Sequence, residues 1–537
     1  MRSGVACLAL SVVVIAGIWA WLGAPVAMPR TPLSAGEKLY CLSYSPFRGS
    51  QTPLDSNTRI SAVQIDEDLS RLAKITDCVR TYSTEFGQDQ IAEIAARRGL
   101  KVMQGLWLSG HPDKNREQIE SVVALANKYP RTIRSVVVGN EVLLRGEMSS
   151  ADLAATIRAV KARVPVPVTY ADVWEYWLHN ADVAAAVDFI TIHILPYWED
   201  FPIPARSAAA HVNSIHRQLV TAFAGKEVII GEVGWPSAGR MREGAQPSPA
   251  NQARVIQDVL ALAKRDNFRV NVIEAFDEPW KRALEGTVGG HWGLLDDAAR
   301  TPKFVWGEAV SNHPHWRLQA AGGILFAAIV FGAAFVARRS ASVSVARWLA
   351  VTTNAIAGGA LIGWSVANAP IESLGVAGWL RSLAFVGVAL LTPPVLSAAV
   401  MRGTPLPPFS RLLGPTSERV REPFALLIGA ILIATMLLAI LSALGLVFDP
   451  RYRDFPFAPL TAAAVPFLTH SLFTPRPGGG QVLTKFGAAE MAGAAVLALS
   501  VPYIVLNEGF ANWQSVWLCS AFMALTFSLA RVRDAQS

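Results

Sequence analysis

From about residue 36 to residue 313 the chain alternates short, β-branched apolar runs with longer stretches that mix charge with Ala and Leu. The runs predict strands at 39–44, 78–82, 101–106, 135–139, 166–170, 189–193, 227–231 and 271–276. The amphipathic stretches at 65–76, 88–98, 115–128, 150–163, 211–223 and 249–266 predict helices between them. Short apolar runs bounded by turn residues suit buried parallel strands, and helix-period segments suit the crossovers that join them. Eight alternations within about 280 residues match the order and size of a (β/α)8 TIM barrel. A doubly wound open sheet is the competing α/β arrangement, but no glycine-rich phosphate loop follows the first strand.

The pattern changes on either side of this region. An apolar run at 5–22 predicts an N-terminal transmembrane anchor, favoured over a cleaved signal peptide because it carries Trp19 and Trp21 and is about as long as a span needs. Residues 318–530 hold seven further apolar stretches, at 318–337, 348–367, 379–400, 424–447, 456–473, 487–506 and 513–530. With the anchor they predict eight spans, of which 456–473 is the shortest, so an all-α multi-span transmembrane domain follows the 36–313 barrel. Linkers are expected at 23–35 and 311–315.

Composition agrees: 52% of the 537 residues are hydrophobic and 17% charged, with a mean hydropathy of +0.33, more apolar than soluble domains are. The net charge of +7 invites a nucleic-acid partner until it is divided. Residues 318–537 hold 14 Lys+Arg against 8 Asp+Glu, while residues 1–317 hold 34 against 33. The excess therefore lies in the membrane part. With the N-terminus inside, the inward loops carry Arg338, Arg339 and Arg347, then Arg402, Arg411, Arg419 and Arg421, then Arg476 and Lys485, and finally Arg531 and Arg533. In the outward loops Arg451 and Arg453 are offset by Asp449 and Asp454. The positive-inside rule then puts both termini in the cytoplasm and the barrel on the periplasmic or extracytoplasmic side of an inner (plasma) membrane. Lipid is an expected partner and nucleic acid is not.

Barrel enzymes place reactive groups at the C-terminal ends of their strands. The fourth strand ends in Val138-Gly139-Asn140-Glu141-Val142 and the seventh in Ile230-Gly231-Glu232-Val233-Gly234-Trp235-Pro236. Either carboxylate alone suits a capping or ion-pairing role. Two at opposing strand ends suit glycoside cleavage, in which one protonates the leaving oxygen and the other attacks the anomeric carbon. Asn140 is then placed to bond the sugar 2-OH.

Together with Glu274-Ala275-Phe276-Asp277-Glu278-Pro279-Trp280-Lys281, these motifs resemble the strand ends of glycoside hydrolase family 17, retaining β-1,3-glucanases and β-1,3-glucanosyltransferases on a (β/α)8 barrel. The resemblance spans about residues 36–310 and implies Glu141 as acid/base and Glu232 as nucleophile. A barrel joined to a polytopic tail is also similar to rhizobial β-(1→6) glucan synthases, which implies a transglucosylase that cleaves β-1,3-glucan and rejoins it through a 6-OH. An endo-β-1,3-glucan hydrolase and a glucan-export or glucan-binding protein are the alternatives. β-Glucan is the expected substrate, and a separate membrane glucan synthase is a further expected partner.

Arg80 and Tyr82, ending the second strand, suit orienting a catalytic carboxylate, and Tyr197, after the sixth, suits donating its hydroxyl to Glu232. Glu278, Trp280 and Lys281 are expected to shape the site around the nucleophile. Trp107, Trp174, Trp198, Trp235 and Trp280 follow strands, where aromatic faces can stack on pyranose rings. His193 reads as an ordinary barrel histidine. No metal site is expected, because the His residues lack ligand spacing, and no cofactor is expected. Cys41 and Cys78 fall on neighbouring strands, where an oxidising compartment allows a disulfide, but free buried thiols are expected because neighbouring strand positions rarely have bridging geometry. In the tail, Glu490 is expected to reach the cytoplasmic interface, while His470 and the 449–454 loop are placed to touch an emerging glucan.

Overall fold

The computed structural model describes residues 2–340, 342–414, 420–474 and 487–532. Arg419, Arg476, Lys485 and Arg533, four of the charges used for orientation, lie outside the described residues. The chain divides into two compact units, one comprising Val26–Gly239 with Gly244–Val310 and the other Met1–Pro25, Arg240–Glu243 and Ser311–Ser537.

The first unit is a closed barrel of eight parallel strands in sequential order: β1 (Cys41–Ser43), β2 (Cys78–Arg80), β3 (Lys101–Leu106), β4 (Ile133–Asn140), β5 (Val168–Val173), β6 (Ile190–His193), β7 (Val228–Val233) and β8 (Val270–Val272). Helices Ala62–Leu72, Ile91–Arg98, Pro112–Lys128, Ser150–Lys161, Ala205–Ala222 and Pro249–Asp266 follow six of them. Their starts are chemically marked: the hydroxyls of Ser61, Ser149 and Ser248 accept from Gln64, Asp152 and Asn251 backbone N–H, satisfying donors the first turn leaves free. After β5 come two helices of six residues each, Trp174–His179 and Ala181–Ala186, too short to leave a periodic signal.

Strand alternation sorts the core into two layers. Leu42, Val79, Val102, Val136 and Ile230 face the helices, while Cys41, Cys78, Met103, Val137, Ala171 and Ile229 form a separate cluster inside the barrel. Cys41 and Cys78 are disulfide-bonded, which corrects the expectation of free thiols. The cause is register: Leu42 pairs with Val79 and Ser43 with Arg80, so the two cysteines stand directly opposite, 4.3 Å apart at Cα, on the same face.

The second unit is helical. Among the described residues seven helices are long and apolar enough to cross a membrane: Arg2–Leu22, Trp316–Ala337, Val345–Glu372, Gly375–Arg402, Pro423–Phe448, Ala488–Glu508 and Trp513–Ala530. The eighth expected span is the apolar but shorter helix Phe457–Phe473. Buried Asn354 is paired inside the bundle, donating to Ser397 (3.0 Å) and accepting from Thr469 (2.7 Å). Glu490 is buried and accepts from the Phe409 backbone N–H at 2.6 Å, so it turns inward and does not reach for an interface. His470 also departs from expectation. It is buried in the last turn of its helix on the Thr404 carbonyl (2.8 Å), at the opposite end of that helix from the 449–454 loop.

Candidate active site

Both acidic strand ends carry a local irregularity that aims the carboxylate. Along β4 and β5, Val137 pairs with Thr169 but Asn140 with Ala171, so β4 holds one extra residue. Along β6 and β7, Ile192 pairs with Ile230 but His193 with Glu232, so β7 also holds one. Bulges of this kind re-aim a side chain that strict alternation would send elsewhere. Each involves a glycine the geometry requires. Gly139 sits at φ +87°, and a Cβ on Gly231 would lie 2.4 Å from Thr191 Cγ2. Glu141 follows at φ +53°, a left-handed conformation that is costly for a side-chain-bearing residue and clusters at functional sites.

The result is a compact constellation. Glu232 is 5% exposed, and its Oε1 accepts from Arg80 Nη1 (2.8 Å) and from the Tyr82 hydroxyl (2.9 Å). Arg80 is fully buried and also donates to the Gly231 carbonyl (2.9 Å) and to Asn140 Oδ1 (2.6 Å), tying β2 to both acidic strands. With its Oδ1 held by Arg80, Asn140 has its NH2 as the group to offer a ligand. Glu141 is half-buried and meets His193 Nδ1 at 2.8 Å, and the other ring nitrogen lies 3.6 Å from Glu232 Oε1. The donor atoms of Glu141, His193 and Glu232 all fall within 4.8 Å of one another.

Burial alone pushes the Glu232 carboxyl up, but His193, Arg80 and Lys281, with the Tyr82 hydrogen bond, outweigh it and hold the group below the ordinary Glu value. It is therefore an anion at neutral pH. The β8 side behaves differently. Glu274 is driven well above its usual range by burial and by Glu278, against the pull of Lys281. Lys281 contacts both acids and is held protonated by them and by Glu285 against its own burial. Burial raises Glu285 to about 7 and Asp172, on β5, to about 6.

The sequence-identified aromatics divide. Trp174 and Trp280 are half-buried; Trp174 donates to Glu199 (3.3 Å), and Trp280 packs edge-on against Phe47. Trp198 is half-buried and stacked on Trp292, and Arg145 covers the Trp107 ring. Trp235 is wholly enclosed, with its Nε1 on the Gln246 carbonyl, so its faces pack on protein and leave none for a sugar. The Tyr197 ring is enclosed edge-on among Trp198, Trp235 and Trp292. Sequence reasoning missed the role of His193, because the triad it joins is assembled from three strands and has no short-range spacing. It also missed Ser43 and Asn271. Asn271 donates to Ser43 (2.8 Å) and the Gly231 carbonyl (2.7 Å), and Ser43 in turn meets the Tyr82 hydroxyl (2.9 Å).

Two chemistries fit three such groups. Glu141, His193 and Glu232 offer three donor atoms to a metal ion, but the guanidinium 2.8 Å from Glu232 Oε1 and the Lys281 ammonium oppose a dication there. Glycoside cleavage fits better, since an ionised, buried carboxylate faces a second one with oxygens no more than 4.8 Å apart, on the close side that retaining displacement uses and well short of the spacing that inversion needs.

Comparison with known proteins converges on the same region. Residues 41–293 match the BtgE/BtgC glycoside hydrolase domain. A putative glucan endo-1,3-beta-glucosidase btgC of Aspergillus niger is 28% identical over 288 residues, covering 48% of this chain and 42% of that protein. A glucan 1,3-beta-glucosidase of Candida albicans is 26% identical over 267 residues, covering 45% and 85%. Among solved structures, an active-site mutant of a Rhizomucor miehei beta-1,3-glucanosyltransferase in complex with laminaritriose is 28% identical, with a TM-score of 0.45, covering 50% of this chain and 98% of that one. The chain spans about two fifths of the length of the first curated relatives it matches. Residues 41–293 are thus a glycoside hydrolase family 17 domain of the BtgE/BtgC type, carried on a chain that also holds long apolar helices.

Proposed function

We propose that this protein is a membrane-embedded, retaining β-glucan transglucosylase that cleaves β-1,3-glucan and transfers the fragment to a sugar hydroxyl. The observation that carries it is the pair Glu141 and Glu232, with oxygens no more than 4.8 Å apart and Glu232 held as an anion. Glu232 attacks the anomeric carbon while Glu141 protonates the departing oxygen, leaving a glycosyl ester on Glu232. Glu141, now a carboxylate, takes the proton of the incoming hydroxyl as that oxygen displaces Glu232. Water would give hydrolysis, and a sugar 6-OH gives a β-1,6 linkage. The apolar helices anchor the barrel on the extracytoplasmic face of an inner membrane, where a separate membrane synthase supplies glucan.

The test is incubation of the purified full chain with a defined laminari-oligosaccharide, with products sized and their linkages determined. Products longer than the donor support transfer. Products that are only shorter reduce the function to hydrolysis, and no turnover at all refutes the catalytic reading. For topology, a cytoplasm-dependent reporter fused after Arg339 is expected to be active, and an inactive fusion would invert the orientation.

A further inference from the structure

Among the described residues, His193 is the titratable group within 4 Å of both carboxylates, and hydrolysis or transfer as described assigns it nothing. Its ring is fully buried at the end of β6. Nδ1 lies 2.8 Å from Glu141 Oε1. Nε2 has no hydrogen-bond partner among the described residues, and Glu232 Oε1 stands 3.6 Å away. Glycine at 231 leaves room for the ring, since a Cβ there would come within 3.2 Å of its Cδ2. We propose that His193 holds the acid proton of the reaction, its imidazole being charged while Glu232 is a free carboxylate and neutral while Glu232 carries the sugar. The inference rests on the retaining reading of the same site and adds to it where the proton waits.

Nε2 is the ring atom whose surroundings depend on the charge of the imidazole. While Glu141 and Glu232 are both ionised, a neutral ring leaves that buried nitrogen either as a lone pair facing an anion or as an N–H, with Nδ1 then lacking a proton for Glu141. An imidazolium presents N–H to both carboxylates at once. Other charged groups around the triad are Asp172 on β5, Arg80 on β2, and Lys281 and Glu285 after β8, with the Tyr82 hydroxyl on the same Glu232 oxygen that faces Nε2.

The proton count closes. In the free site two carboxylates and one imidazolium sum to −1. As the glycosidic bond breaks, one proton passes along the 2.8 Å bond to Glu141 and from its carboxyl to the leaving oxygen, while Glu232 forms the ester. What remains is one carboxylate, a neutral ring and a neutral ester, again −1. The incoming hydroxyl returns its proton by the same route as the ester breaks. The buried cluster therefore keeps one net charge through the cycle, which avoids the cost of changing charge in a poorly solvated place. His193 is a positioning residue in this scheme, because it acts through Glu141 and Glu232.

Two measurements on the full chain in detergent test this. The first is the pH profile of kcat/KM for wild type and His193→Gln, using a laminari-oligosaccharide and a dinitrophenyl β-glucoside, whose leaving group needs no proton. With the imidazole gone, the acid proton belongs to a carboxyl group alone. The basic limb for the oligosaccharide is then expected to move to lower pH, with no such movement for the aryl glucoside. An unmoved limb, or equal movement with both substrates, overturns the proposal.

The second measurement is the 15N imidazole spectrum of wild type minus that of His193→Gln, before and after treatment with a 2-deoxy-2-fluoro glycoside. A ring charged at pH 6 that becomes neutral on trapping is expected, and a ring neutral in the free protein overturns the assignment. If wild type cleaves no β-glucan, the retaining reading fails by itself, and the ring charge in the free protein still decides the inference.

Discussion

Replacing Tyr82 by Phe removes one of two hydrogen bonds onto Glu232 Oε1 and little else. The phenol has one proton and two oxygens at 2.9 Å, Glu232 Oε1 and Ser43 Oγ. An ionised carboxylate can only accept, so the proton goes to Glu232 and Ser43 faces the phenol oxygen with its own O–H. After the substitution Ser43 keeps Asn271 as a partner (2.8 Å), and Arg80 still grips Glu232 at 2.8 Å, so the local structure has reason to persist. A hydrogen bond to a charged group contributes about 1.5–3 kcal/mol, and one pH unit corresponds to about 1.4 kcal/mol. Loss of this one raises the Glu232 value by about one to two units, in the direction burial already pushes it. Because the nucleophile must be ionised, activity is retained above its titration and lost below. The acidic limb of kcat/KM on laminari-oligosaccharides therefore moves up by that amount in Tyr82→Phe, while the plateau changes far less. A limb shifted by less than about 0.3 units would refute the reasoning that Tyr82 tunes this carboxylate.

Glu141→Ala is expected to slow cleavage of laminari-oligosaccharides by about 10²–10⁴-fold and to affect formation of the glycosyl ester from a dinitrophenyl glucoside far less, because only the poor leaving group needs a proton. Pre-steady-state kinetics measures both, and equal losses would remove Glu141 from the acid role. Joint replacement of Cys41 and Cys78 by Ala opens a loop of sequence separation 37 and is expected to lower barrel stability by up to about 4 kcal/mol. Denaturant unfolding followed by tryptophan fluorescence reads it, with no change counting against a bond present in the folded barrel. Asp172 titrates at about 6, chiefly because burial disfavours its charge, so its contribution to stability is present below about pH 4 and lost as pH rises through 6. Asp172→Asn is thus expected to leave stability at pH 4 nearly unchanged and to raise it at pH 7.5 by up to about 3 kcal/mol; a larger gain at pH 4 than at pH 7.5 would reverse the sign of the argument.

The strand–helix alternation was legible because parallel strands buried on both faces read as apolar runs, and because serine caps mark three helix starts. The positions of Glu141 and Glu232 were legible as carboxylates directly after such runs. Their orientation was not. It depends on one-residue bulges in β4 and β7, and a register shift leaves no mark in composition beyond the glycines that permit it. His193 was read as an ordinary histidine because its partners lie 52 and 39 residues away along the chain and meet it only when the barrel closes. Cys41 and Cys78 were misjudged for a related reason, since whether neighbouring strands present two cysteines on one face is decided by register. Trp235 looked like a sugar platform by position, and burial made it a packing residue. Hydropathy located the long apolar helices among the described residues, but the partners of Glu490 and His470, the Phe409 N–H and the Thr404 carbonyl, lie in other parts of the chain and are invisible in the segment itself.

The most direct test of the account is covalent capture of the nucleophile. The full-length protein is incubated with a 2-deoxy-2-fluoro glucosyl donor bearing a dinitrophenyl leaving group, digested with protease, and the peptides are sequenced by mass spectrometry. The account predicts a single fluoroglucosyl adduct on Glu232, absent in Glu232→Gln. An adduct on another residue, or none while the same preparation turns over β-1,3-glucan, would contradict it.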